Sequence, residues 1–349
     1  MSSVTLTPQS LIVDATDKLK VDFTVGTFSL TSNFNIIMTF PARFSTTQSF
    51  FPNAISCAGS TANIASGPTC TVTNDGSNAA TIKILSAYAS TIASTDSASL
   101  MITNIKNPIS TATITGITIK IVDTASDSFE IATRTGVTMA VTTPKTVSAF
   151  TLTFNSPSTV GVYSTANNYL EIVINPGIYS AAGCKAAVVF PSEITYQSTT
   201  LVFGMVNSMD YTSGTSTLAN SLDTACSANA DQTGLIYAYI KVRGPPQVKT
   251  TSDFVFTLKT TAGDSIATGT VSVPSSSITT GTITTFVFTY VGSASQIVGT
   301  TTTWRIGFTI ANPLANPWKI TVTYPNTEFT ISGCTPTNGI GFTTASTTC

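Results

Sequence analysis

Six cysteines, Cys57, Cys70, Cys184, Cys226, Cys334 and Cys349, are the residues of this chain with the most definite chemistry. None sits in a C-x-x-C pair, and with no histidine anywhere there is nothing to complete a mixed tetrahedral zinc site, so the thiols read as disulfides. The missing histidine also removes Ser–His and Cys–His nucleophiles and most hydrolase mechanisms with them. Two carboxylates alone suffice for a glycosidase, yet no spacing nominates a pair. The nearest acidic pair is Asp123 with Asp127, and Asp127-Ser128 recurs as Asp264-Ser265, which is how a structural turn behaves in a duplicated unit. Asn74-Asp75-Gly76-Ser77-Asn78 offers oxygen ligands without the closing Glu of a calcium loop and reads as a turn. A Lys–Asn crosslink would need a buried Lys, Asn and acid in contact; Lys120 and Lys259, in equivalent strands, are out of step by two positions. The expectation is a non-enzyme with no cofactor and no metal.

Behind these residues lies a tandem repeat. Leu100–Ser128 matches Tyr237–Ser265 without a gap, 137 residues on (264 − 127 at the aspartates). Phe40-Pro41 recurs as Phe190-Pro191 and as Tyr324-Pro325, and Phe150, Leu152 and Phe154 recur as Phe286, Phe288 and Tyr290. A repeat of this length means separately folding modules whose function belongs to the array. The expected units are residues 1–146, 147–281 and 282–349. Two cysteines fall in each, so the expected bridges are Cys57–Cys70, Cys184–Cys226 and Cys334–Cys349, which place the chain in an oxidising compartment.

Composition excludes several partners. Charged residues make up 9% of the chain, the net charge is −1, and Lys plus Arg number 15. That supply cannot neutralise a row of phosphates, so nucleic acid is not an expected partner. No apolar run has the length of a bilayer span. Roughly a third of the residues are Ser or Thr, where an average chain would use charged side chains on its surface.

Strands account for nearly the whole pattern. Ile117, Ile119 and Ile121 alternate with Thr118 and Lys120, and Phe254, Phe256 and Leu258 alternate with Val255 and Thr257 in the matching segment. Period two over five to seven residues marks a half-buried strand. Thr suits the outward positions because its β-branch fits the pleat while its hydroxyl meets water. Gly, Pro, Asn and Ser clusters such as Gly244-Pro245-Pro246 separate the strands, and no amphipathic helix is visible. The predicted fold is all-β: tandem immunoglobulin-like antiparallel β-sandwich domains, joined by short linkers at 142–145 and 274–277.

The Phe-Pro or Tyr-Pro after an apolar strand, the Asn-Pro and Gly-Pro turns and the paired cysteines give a chain that resembles the tandem immunoglobulin-like repeats of large Ser/Thr-rich surface and fibre proteins of ciliates and other protists. Bacterial adhesin arrays share the style without the disulfides. The resemblance implies an extracellular or cell-surface structural protein, a strut of a filament or coat assembled end to end. The alternative is an adhesin or glycan-binding module, with Tyr88, Tyr163, Tyr179 and Tyr211 as loop-tip aromatics. The third unit carries only the early strands of the repeat, so Phe286, Phe288, Ile306, Phe308 and Ile310 are expected to form an open core and to serve assembly. The partner that closes it would be the continuation of the same chain or a further copy, in the manner of donor-strand addition. O-linked glycans on stretches such as 212–217 and 300–303 would hydrate a surface so poor in charge.

Overall fold

The computed structural model describes residues 1–41, 54–73, 80–154, 158–159, 170–178, 184–196, 202–206, 221–225, 235–240, 242–245, 247–291, 303–310, 321–323, 325 and 327. The chain divides into two compact units, Met1–Asn312, which holds every described strand, and Pro313–Cys349.

The first nine strands are β1 (Ser3–Pro8), β2 (Thr16–Thr24), β3 (Phe34–Thr39), β4 (Ser56–Gly59), β5 (Thr69–Thr73), β6 (Thr81–Leu85), β7 (Ser97–Lys106), β8 (Ile114–Asp123) and β9 (Glu130–Met139). They form two antiparallel sheets, ordered β1-β2-β7-β4 and β5-β6-β3-β8-β9. Leu19, Val21, Phe23 and Ile102 from the first sheet and Ile36, Met38, Ile82 and Ile119 from the second share one buried cluster, so the sheets are the two halves of a sandwich. The first order is the A-B-E-D sheet of an immunoglobulin-like fold. The run β9-β8-β3 is its G-F-C partner, with the β5–β6 hairpin added beyond β3.

The second sandwich repeats the plan. A short β10 (Lys145–Thr146) leads into β11 (Ala149–Phe154), β12 (Ser158–Thr159), β13 (Leu170–Asn175), β14 (Lys185–Val189), β15 (Thr195–Tyr196), β16 (Val202–Val206) and β17 (Ser221–Ala225). After these come β18 (Leu235–Ile240), β19 (Val242–Arg243), β20 (Phe254–Lys259), β21 (Ser265–Val271) and β22 (Ile278–Thr279). Its sheets run β11-β13-β18-β16 and β10-β21-β20-β14-β17, so among the described residues β17 stands where the first sandwich has a hairpin. The central pairs β3–β8 and β14–β20 share one register. Ile119 faces Met38 across β8 and β3, and Phe256, its counterpart, faces Val188 across β20 and β14. All six residues singled out by the alternation, Ile117, Ile119, Ile121, Phe254, Phe256 and Leu258, are fully buried. Removing this much apolar surface from water is the main stabilising term of each sandwich, about 1.5–3 kcal/mol per large side chain.

Among the described residues a last pair, β23 (Ile283–Val291) and β24 (Thr303–Ile310), forms a two-stranded antiparallel ribbon.

Candidate functional site

The loop end of the first sandwich is built around the turn between β8 and β9. Asp123 closes it by accepting from the N–H groups of Ala125 (3.2 Å) and Phe129 (3.2 Å). Asp127 adopts a left-handed conformation, φ 57°, which a short polar side chain tolerates best. Its carboxylate accepts from Asn35 Nδ2 at 2.8 Å and pairs with the Lys83 ammonium. Asn35 is buried, and its Oδ1 takes the N–H of Ser86 at 3.0 Å, so strand β3, the end of β6 and the β8–β9 turn are tied together through one side chain. Hydrogen bonds from Lys83 and then Asn35 lower the pKa of Asp127 below its usual carboxylate value. The tempting acidic pair therefore serves the turn: one acid closes it and the other pins it down. What the pinned turn presents is Phe129, 72% exposed, with Ile131 exposed two residues on.

Sequence reasoning looked for exposed loop aromatics among tyrosines. Tyr88 does not fit: it packs edge-on against Phe34, ring centroids 6.2 Å apart, and is partly buried on the core. Tyr163, Tyr179 and Tyr211 lie outside the described residues. Phe129 carries no such signal: in sequence it stands as the first residue of an alternating strand.

The joint between the sandwiches is the second candidate. Val13 and Val141, both from the first repeat, are buried in the core cluster of the second sandwich. The N–H of Val13 donates to Thr143 O at 2.8 Å, and the N–H of Thr143 donates to Leu11 O at 2.9 Å. Asn107, buried, donates from Nδ2 to Ser10 O and Ile12 O, both at 2.8 Å. Asp14, with only 8% of its side chain exposed, holds Lys106 at 2.6 Å and Lys145 at 2.8 Å, one lysine from β7 and one from β10. Across the joint the N–H of Thr111 donates to Ser265 O (2.8 Å), and the N–H of Ser265 donates back to the Thr111 hydroxyl (3.0 Å). Ser265 is one of the repeated turn residues, and here it is a docking contact. In a chain with so few charges, three of them converge on this linker.

The sulfurs of Cys57 and Cys70 are bonded, with Cα atoms 5.9 Å apart. Cys57 is on β4 and Cys70 on β5, so the bond staples the two sheets of the first sandwich together. Cys184 is also disulfide-bonded. Cys226, Cys334 and Cys349 lie outside the described residues, as do residues 212–217 and 300–302. Strand β17, which ends just before Cys226, pairs with β14, which begins just after Cys184.

The assembly residues fall on the ribbon. Phe286 is 58% exposed and Phe288 48%, with Ile306 and Phe308 half-buried; the side chain of Ile310 is outside the described residues. The register puts Phe286 opposite Phe308 and Phe288 opposite Ile306, as Phe150 faces Ile174 and Leu152 faces Ile172 in the second sandwich. By this register Trp304, opposite Tyr290, is the counterpart of Leu170 opposite Phe154, and Ile310 lies beyond the matched pairs. Trp304 packs on Phe288 (centroids 5.0 Å) and Tyr290 (5.8 Å) to complete an aromatic face.

Among the described residues no His, Cys, Asp and Glu cluster is arranged to hold a metal, and no helix is long and apolar enough to cross a membrane. Lys120 pairs with Glu130 at 2.8 Å on the outer face.

No protein-family model matches the chain, and no curated protein does. Among solved structures it is similar to the partial N-terminal region of an enterococcal surface protein, 12% identical with a TM-score of 0.28, covering 78% of this chain and 93% of that one. The collagen-binding domain of the Erysipelothrix rhusiopathiae surface protein RspB is 10% identical, TM-score 0.27, covering 78% and 92%. The collagen adhesin of S. aureus is 9% identical, TM-score 0.23, covering 78% and 93%. All three are bacterial; none has the protist source that the style of the sequence implies.

Proposed function

We propose that this chain is an extracellular surface protein without enzymatic activity, whose disulfide-stapled immunoglobulin-like modules are stiffly joined and carry an adhesive loop end. The observation that carries this reading is the pinned β8–β9 turn. A large aromatic side chain held 72% exposed on a turn fixed by Asp123, Asp127, Asn35 and Lys83 gains nothing for the fold. Rigid exposed aromatics are what a binding tip uses, because little conformational entropy is lost on contact. The partner class is a glycan or another cell surface. The test is retention of the full chain on glycan arrays and on intact cells: Phe129→Ala is expected to abolish retention with thermal stability unchanged. Equal retention by the variant would remove the tip from the account.

A second reading, a strut of a filament, is favoured by the exposed aromatic face of β23–β24. We infer self-association through that ribbon, either with a further copy or with continuing chain. Sedimentation of the full chain is expected to show concentration-dependent assembly that Phe286→Ser with Phe288→Ser suppresses. O-glycosylation of the exposed hydroxyls belongs to both readings, and intact mass above that of the bare polypeptide is its expected signature.

A further inference from the structure

The two sandwiches carry different residues at one equivalent edge-strand position, Arg134 in the first and Gly269 in the second. In the second, β10 lies parallel on β21, with Lys145 beside Ala267 and Thr146 beside Thr268, and the N–H of Val147 donates to Thr268 O at 3.0 Å. Close approach is possible because residue 269 is glycine: a Cβ built there would lie 2.3 Å from Val147 Cγ2. The counterpart of β21 in the first sandwich is β9, and the register fixes the equivalence. Ile119 faces Arg134 where Phe256 faces Gly269, and both ladders slip at the same place, after Ile121 and after Leu258. The Thr133 hydroxyl bonds Ile119 O as the Thr268 hydroxyl bonds Phe256 O. At the N-terminus, Ser2 donates to Thr24 O as Ser148 donates to Asn175 O, so Met1 stands where Val147 stands. By these equivalences the edge-strand position that is Gly269 in the second sandwich is Arg134 in the first.

Strand β9 also carries two further register breaks, and Gly116 and Gly136 beside them take positive φ of 81° and 69°. It is the edge of its sheet, with Glu130 and Arg134 exposed along it. Bulges and charged side chains are how sheets close an edge to further strands.

We propose that residue 134/269 decides whether a linker strand can dock on a module: Gly269 makes the β21 edge of the second sandwich a socket for the segment Lys145–Val147, and Arg134 closes the matching β9 edge of the first sandwich to any such strand, whether from a linker or from a second copy. The coupling of modules is then directional. The first sandwich feeds its linker onto the second and accepts none on its own β9 edge.

The test is amide hydrogen exchange on the full chain. In the natural chain the Val147 amide is protected. Gly269→Arg is expected to raise its exchange at least tenfold, while Phe256 and Leu258 in the core of the same sandwich keep their protection; Gly269→Ala, which introduces only the clashing Cβ, shows the same loss if the arginine variant fails to fold. The reciprocal arm replaces Met1 with a copy of residues 141–147. The added segment is expected to exchange freely with Arg134 present and to gain protection with Arg134→Gly. Protection of Val147 that survives Gly269→Arg, or a grafted segment protected beside Arg134, would overturn the proposal. A graft left unprotected in both backgrounds would remove Arg134 as the determinant.

Discussion

In the first sandwich the ribbon β1–β2 turns Leu6, Val21 and Phe23 inward and buries them, whereas the ribbon β23–β24, with the same alternation of apolar and hydroxyl residues, leaves Phe286 and Phe288 about half exposed. The difference is in what surrounds the ribbon. Strand β2 has β7 along its other edge, and β3 and β8 cover the face it shares with β1. Among the described residues β24 has neither. Period two encodes which face of a strand is meant to be dry. Burial itself is a property of the assembled sandwich, since an isolated two-strand ribbon has too little apolar area to compensate for ordering its chain.

Phe256→Ala removes a fully buried ring that packs edge-on against Phe150 and is expected to destabilise the second sandwich by about 3–5 kcal/mol, cavity included. Phe288→Ala, the same chemistry on the open ribbon, is expected to stay within about 0.5 kcal/mol. Urea unfolding of both variants checks the contrast, and equal losses would mean that the ribbon is covered in solution. Next is the sheet staple: with its ends thirteen positions apart in sequence, the Cys57–Cys70 bridge contributes about 3 kcal/mol in the chain-entropy model. Cys57→Ser with Cys70→Ser is expected to lower the midpoint of the first sandwich alone. Asp14→Asn, which loosens two ion pairs at the joint, is expected to cost about 1.5–3 kcal/mol and to appear as new proteolytic cleavage near residues 141–148 rather than as loss of either core.

The smallest effect is set by pH. Burial disfavours the charge on Glu193, but hydrogen bonds from its own N–H, from Lys249 and from Ser252 outweigh it and lower its pKa from 4.5 to about 2. A depressed folded pKa means the carboxylate stabilises the fold above pH 4.5, and that this contribution is lost as pH falls towards 2. Asp127 works in the same direction in the first sandwich. Acid titration followed by circular dichroism is expected to show falling stability below pH 4.5, flattened at the Glu193 site by Glu193→Gln.

Much of this architecture is legible in the sequence because it rests on periodicity. The match of Ile117–Ile121 to Phe254–Leu258 survives to the level of cross-strand partners, since a one-residue slip would turn a whole strand inside out. Other features depend on tertiary placement and leave no local trace. Asp14 follows an apolar stretch of the β1–β2 loop and has no cation near it in sequence closer than Lys18, until the fold brings Lys106 and Lys145 to it. Tyr88 sits among turn residues, as a binding aromatic would, but the sandwich offers it Phe34. Phe129 shows the reverse: it looks like the start of a strand, and the hydrogen bonds to Asp123 leave it outside. The register of the ribbon, which aligns Trp304 rather than Ile310 with the repeat, is a matter of cross-strand pairing that the sequence does not announce.

Residual dipolar couplings of backbone amides in a weakly aligned sample of the full chain, fitted separately for strands β1–β9 and β11–β21, decide whether the joint makes the two sandwiches one stiff body. One alignment tensor, equal in magnitude and orientation for both sandwiches, is expected, as is its splitting into two on Asp14→Asn. Two different tensors in the natural chain would contradict a stiff joint.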